Sequence, residues 1–202
     1  VFKDGCKIFA GLGCGFLFTH GGGGKIDGCI ITDNARDGIA ICGLANPSII
    51  NTRVQEGQGC GVHVFDSGRG ELHSCEIASN KGLAMFLERG GNPSIRSTNI
   101  HHCTVGGVLF SEGSLGSFIQ CNFHSNTSYS VKSQHEGNPT LTRCNFSDLT
   151  ASAVEVTLSA SGRFDSCTFQ NIPVAVLASE GCTTTFDSCQ FEKGCGTGLH
   201  FY

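Results

Sequence analysis

The sequence contains no tryptophan, two tyrosines, four prolines and one methionine in 202 residues. Without Trp and with so little Tyr, it has a poor supply of the flat aromatic surface on which sugar rings stack. An excess of positive charge is missing too. Thirteen Lys+Arg stand against 17 Asp+Glu, a formal net charge of −4. Composition therefore gives no electrostatic reason to expect nucleic acid or an anionic membrane surface as partner. No run reaches the ~18–20 apolar residues of a membrane span, and no charged-then-apolar leader opens the chain. No CxxC pair occurs, so the compact thiolate pairs of a zinc site are absent. Nor does any stretch sustain apolar residues at i, i+3, i+4 and i+7, so helices are expected to be nearly absent. No cofactor is expected.

What is abundant is glycine, at 29 residues roughly twice the usual share, in a chain 39% apolar and 15% charged. That balance excludes a disordered tail, and glycine without a three-residue period excludes collagen. Thirteen cysteines are an odd number, so a fully oxidised monomer would keep one thiol. Cys6, Cys29, Cys75, Cys121, Cys144, Cys167 and Cys189 are separated by 23, 46, 46, 23, 23 and 22 residues. This regularity is unlike a disulfide framework and fits small buried residues kept reduced. An intracellular, reducing compartment is the expectation.

The same 23-residue step organises the whole chain. Stepping from Cys29 gives Thr52, Cys75, Thr98, Cys121, Cys144 and Cys167, all small. Two residues on lie Ile31, Val54, Ile77, Ile100, Phe123, Phe146, Phe169 and Phe191, all large and apolar. Three residues before the cysteines run Ile26, Ile49, Leu72, Ile95, Phe118, Leu141, Phe164 and Phe186. A further pair of columns begins at Phe16 and Phe18 and is interrupted by Ser133 and, more mildly, by Ala178. Within each period the apolar residues alternate as in a strand, between segments rich in Gly, Asn, Ser and Asp. A short all-strand repeat of this length describes an all-β parallel β-helix, a solenoid of about nine 23-residue coils stacked at ~4.8 Å into a rod roughly 40 Å long. Handedness does not follow from the period; the preference of parallel crossovers gives a right-handed coil.

Corners alternate every 46 residues. Asn46-Pro47-Ser48, Asn92-Pro93-Ser94 and Asn138-Pro139-Thr140 occupy one design, and Gly24, Gly70, Gly116 and Gly162 stand where proline would be in the other. Asn34, Asn80 and Asn126 recur with the same spacing on the opposite turn. Both ends stop inside the register and neither carries a polar cap, so residues 1–202 are expected to be a β-helical segment of a larger protein, with further coils or another chain over its ends.

The units at 45–77 and 91–123, with their alternating xNP[ST]-I and G-x-G-x corners, are similar to the right-handed β-helix repeats of eukaryotic F-box proteins. They also resemble the wider pectin-lyase-like group of carbohydrate-acting β-helices and periplasmic copper-insertion proteins. The resemblance covers roughly residues 15–201. It implies the fold, and for function either a non-catalytic recognition module, a ligase substrate-recognition region, or a polysaccharide lyase, hydrolase or epimerase.

Few residues stand out as chemistry. Asp165 and Asp187 follow inward Phe residues in adjacent coils; with no third acid beside them and FDSC recurring in both coils, they are expected to be an exposed polar column, the alternative being a catalytic pair that shares a proton or a cation. His101 and His124 share a column with His102 beside the first; a metal site would need two further ligands and only Cys103 is near, so solvent-exposed histidines and no metal are expected, a zinc site being the alternative. Phe65 and Phe86 are outward by alternation and form a candidate contact patch. Asp66, Arg89, Glu112 and His135 follow one another at 23, a ladder of unlike charges or a strip read by a partner. Asn99, Asn122 and Asn145 form an outward amide column that can bond along the rod. GGGG at 21–24 lacks the Lys-Ser/Thr and helix start of a phosphate loop. The expected function is a non-catalytic scaffold for protein partners within a larger assembly, such as a cytoskeletal or ciliary one; a carbohydrate-active enzyme on polysaccharide is the alternative.

Overall fold

The structure, a computed structural model, describes residues 1–202 and contains 26 strands and no helix. The strands form three parallel sheets. Sheet I holds eight, from Lys25–Asp27 to Thr183–Asp187; sheet II holds nine, from Lys7–Phe9 to Gln190–Phe191; sheet III holds nine, from Phe16–Phe18 to Thr197–Phe201. Each strand pairs with its equivalent one coil away, in the register the sequence columns specify: Ile77 with Ile100, Ile95 with Phe118, Met85 with Val108. The expected nine coils become eight complete turns plus a ninth in two sheets, because sheet I reaches its ninth position only through the isolated bridge Phe2–Ile26.

The inward columns merge into one core of 40 buried residues. Its composition shifts along the rod from branched aliphatics to phenylalanine. Phe123, Phe146, Phe169 and Phe191 stack face to face at centroid separations of 4.9, 4.8 and 4.9 Å. Ser133, the intruder in sheet III, is buried with its Oγ donating to the Gly137 carbonyl at 2.8 Å, so the hydroxyl replaces an apolar contact without being stranded.

The bends differ from the glycine-centred corners of the sequence reading. Left-handed residues recur at the corners in coil after coil, and most are not glycine. Between sheets I and II they include Asn51 (φ 49°), Ser74 (53°), Ser97 (48°), Gln120 (55°) and Arg143 (53°). A left-handed residue costs roughly 1–2 kcal/mol unless it is glycine, so the stacked coils must hold these bends in place. At the Pro/Gly corner, Gly24 and Gly70 do have φ of 147° and 135°. Gly116 and Gly162 instead lie within five-residue strands, where a Cβ would come within 3.0 Å of the Phe110 ring and 3.2 Å of the Phe164 ring. Glycine is needed there for close approach, not for conformation.

Two polar columns tie coils together from within. Asn80 Oδ1 accepts from Gly57 N at 3.0 Å and its Nδ2 donates to Val54 O at 3.1 Å; Asn126 repeats this with Cys103 N and Ile100 O. Thr52 and Thr98, in the cysteine column, accept from Cys29 N and Cys75 N through Oγ1 and donate back to Ile50 O and Arg96 O. Backbone groups at the corners therefore find partners that the sheets alone do not supply.

All 13 cysteines are free thiols, six of them fully buried. Burial pushes the Cys75 thiol up to about 11, and in the stacked column Cys144 is pushed up by its neighbours Cys121 and Cys167 and by burial. Thiolate is the reactive form, so Cys75 and Cys144 are held inert as thiols; bonds to Cys144 lower the pKa of Cys121 and Cys167, and it is burial that keeps reagent from those two. Iodoacetamide at pH 8 is expected to label exposed Cys6 first and to leave Cys121, Cys144 and Cys167 unmodified until denaturant is added; peptide mass spectrometry reads this directly. Rapid labelling of those three in the folded protein would overturn the inward assignment.

Candidate functional site

The densest outward arrangement lies on sheet III, around the strands Val62–Val64 and Leu83–Leu87. Alternation turns His63 and Phe86 outward as direct partners in neighbouring coils. Their rings stack at 5.0 Å with 14° between planes, and Phe65, just past its strand, tilts onto His63 at 4.4 Å. Carboxylates close on the imidazole from both sides: Asp37 Oδ2 is 3.3 Å from Nδ1 and Glu88 Oε1 is 3.3 Å from Nε2. Asp37 is itself held, accepting from Cys60 N at 2.8 Å through Oδ1. The Glu88 contact is off the hydrogen-bond line, so His63 Nε2 is buried without a hydrogen-bond partner in the chain.

Arg89 borders this cluster. Its guanidinium lies 5.3 Å from the Phe65 ring centroid, with Nε 2.7 Å from Asp66 and Nη1 2.6 Å from Glu88. The bond from Asp66 holds Arg89 more firmly protonated. The charge ladder of the sequence reading stops at this rung. Arg89 spends its second contact on Glu88 in its own coil; Glu112 is exposed and makes no ion pair, and His135 turns to Ser111 Oγ at 3.5 Å. Asp66, Arg89 and Glu112 are all left-handed corner residues, which directs their side chains sideways across the corner as well as along the rod. The neighbouring pair does form, with Lys132 Nζ 3.0 Å from Glu155.

His63, Asp37 and Glu88 escape a search along columns because each stands in a different one. Their common signal is lateral: Asp37 and Glu88 lie in the coils before and after His63, each at an outward position flanking its column.

The histidines converge more closely than the columns suggest. His101 and His124 stack at 4.5 Å, and His102 stands edge-on to both, its Nδ1 2.8 Å from that of His101. Burial, opposed by a bond from Glu76, lowers the His101 pKa; burial and the two neighbouring histidines lower that of His124. Cys103 does not join them. It is fully buried, with Sγ 3.6 Å from His101 O and near Asn80 Nδ2 on the core side, because it follows the left-handed His102 and returns to the inward face.

Asp165 and Asp187 are register partners, as their columns require. Each is capped by the next serine, Ser166 Oγ at 2.8 Å and Ser188 Oγ at 3.0 Å, and Arg163 Nη2 lies 3.6 Å from Asp187. The Asp187 side chain is 62% exposed, and its nearest cation is the Arg163 guanidinium. On sheet II the amide column bonds as expected, Asn122 to Asn99 at 2.9 Å and Asn145 to Asn122 at 3.0 Å. It floors a polar trough of about 590 Å³ that also includes His124, Gln170 and Glu192. No helix is long and apolar enough to cross a membrane.

Three parallel sheets wound around a single core of stacked side chains define a parallel β-solenoid. The chain belongs to the family described as right handed beta helix region, whose sequence model matches residues 3–119 and 111–202. Comparison with curated proteins and with solved structures finds no match.

Proposed function

We propose that this β-helix is a non-catalytic partner-recognition module that docks other proteins on the sheet III face around Phe65, Phe86 and Arg89. The observation that carries this reading is the aromatic–arginine cluster of Phe65, Phe86 and Arg89 packed around His63, whose ring is clamped between Asp37 and Glu88. Aromatic and arginine side chains in a fixed arrangement are what protein interfaces use as anchors. The strands beneath are held by core on one side and by neighbouring coils on two others, so the face needs little reordering to bind. Free thiols throughout suit a reducing compartment, and the module is suited to work within a larger assembly.

The test is retention of a stoichiometric partner from the native source, under reducing conditions, by the parent protein and by Phe65→Asp/Phe86→Asp. Both are first shown to share the same thermal midpoint and circular dichroism. The expected result is a partner retained by the first and lost by the second. A partner retained equally by both, or by neither, overturns the assignment of this face. The trough along Asn99, Asn122 and Asn145 favours a second reading, a polysaccharide ligand held by stacked amides and hydroxyls. Binding on a glycan array that Asn122→Ala abolishes would support it, and loss of turnover in Asp165→Asn or Asp187→Asn would extend it to catalysis.

A further inference from the structure

We propose that His101, His102 and His124 form a binding site for a late first-row divalent transition-metal ion, with Glu76 orienting the first of the three ligands. The three imidazoles each offer a nitrogen, and these atoms all lie within 4.8 Å of one another. They come from two coils. His101 and His124 end the paired strands Asn99–His101 and Asn122–His124, which puts their rings in parallel one above the other. His102 reaches the same point because its backbone is left-handed, φ 55°, folding its ring back across the edge of both, at 87° and 86° to them.

The donor geometry favours particular ions. Two nitrogens bound to one ion at ~2.0–2.1 Å lie about 2.9 Å apart at a 90° angle, about 3.4 Å apart at a tetrahedral angle and about 4.1 Å apart when opposite. The His101 Nδ1–His102 Nδ1 separation is 2.8 Å, a hydrogen-bond distance close to the N···N span of two neighbouring ligands on one ion, so little translation separates the two arrangements. The His101 and His124 rings lie parallel, 11° apart, so an ion shared by both requires the His124 ring to turn out of the stack and aim its nitrogen at the His101–His102 pair. An all-imidazole donor set with one exposed member suits Ni²⁺, Cu²⁺ or Zn²⁺, with water in the remaining positions.

The second feature is the support behind the ligands. Glu76 Oε1 is 3.3 Å from His101 Nε2, and Arg53 Nε anchors the other Glu76 oxygen at 2.9 Å. A carboxylate accepting the Nε2–H fixes the tautomer of His101, leaving the Nδ1 lone pair turned toward His102. Without an ion, His102 donates its Nδ1–H to that lone pair. With one, exposed His102 moves its proton to Nε2 through solvent and presents Nδ1 as a ligand, so no net proton is released by the pair.

The test is titration of the reduced 202-residue chain with NiCl₂ by calorimetry, and with CoCl₂ by absorption spectroscopy. The expected result is one Ni²⁺ per chain and a Co²⁺ ligand-field spectrum without thiolate charge-transfer bands. His102→Asn should weaken Ni²⁺ binding at least tenfold without changing the thermal midpoint of the metal-free protein, because the ring is exposed and asparagine accepts its backbone conformation. Glu76→Gln should weaken it by about 10-fold or more. No uptake, uptake unchanged in His102→Asn, or a spectrum dominated by thiolate bands would overturn the site. An effect of His102→Asn without one of Glu76→Gln would remove Glu76 from it.

Discussion

Replacing Phe146 with alanine is expected to destabilise the protein by about 3–5 kcal/mol, most simply read as a fall in the urea midpoint followed by circular dichroism. Phe146 is 1% exposed and sits between Phe123 at 4.9 Å and Phe169 at 4.8 Å. In a solenoid each coil is stabilised chiefly by its two neighbours, so one truncation loosens two interfaces at once. Phe146→Leu should cost much less, because the same column tolerates Ile100 and Ile77 elsewhere. Equal and small losses in both variants would mean that the ring stack does not carry the C-terminal half of the core.

Asn80→Leu is expected to cost about 2–6 kcal/mol, from two buried backbone groups each left unsatisfied at about 1–3 kcal/mol. Leucine matches the volume, so the loss would be one of hydrogen bonding: Gly57 N and Val54 O both lose their partner inside the rod. Asn34 gives the internal control. Its Oδ1 accepts from Gly11 N at 3.1 Å, but its Nδ2 is buried without a partner. Asn34→Leu therefore removes one bond and also relieves one stranded donor, and its cost should be clearly smaller. Urea unfolding of the two variants side by side decides the point; a larger loss at Asn34 would refute this account of the asparagine column.

The surface is less orderly than the core, and the difference has a physical basis. Asp165 and Asp187 meet because they are one coil apart on a strand, and the amides of Asn99, Asn122 and Asn145 bond for the same reason. Arg89 was expected to continue a ladder through Glu112, yet it binds Glu88, the residue before it. Cys103 was expected beside the histidines and instead faces the core, its place taken by His102. In both cases the deciding residue lies at a left-handed corner, where the side chain direction departs from strand alternation.

A 23-residue spacing of alternating apolar residues determines by itself which side chains face inward, which stack on which, and hence the all-β solenoid and its core from Ile26 to Ala178. Neighbours along the rod are a matter of counting, because hydrogen-bonded parallel strands admit no other register once one face is buried. Neighbours across a corner are not. The cluster of His63 with Asp37 and Glu88 is lateral, and the convergence of His101, His102 and His124 depends on the left-handed bend at His102, φ 55°, which no glycine announces. Only the packed coils hold such angles, and so only the tertiary structure decides which outward side chains meet.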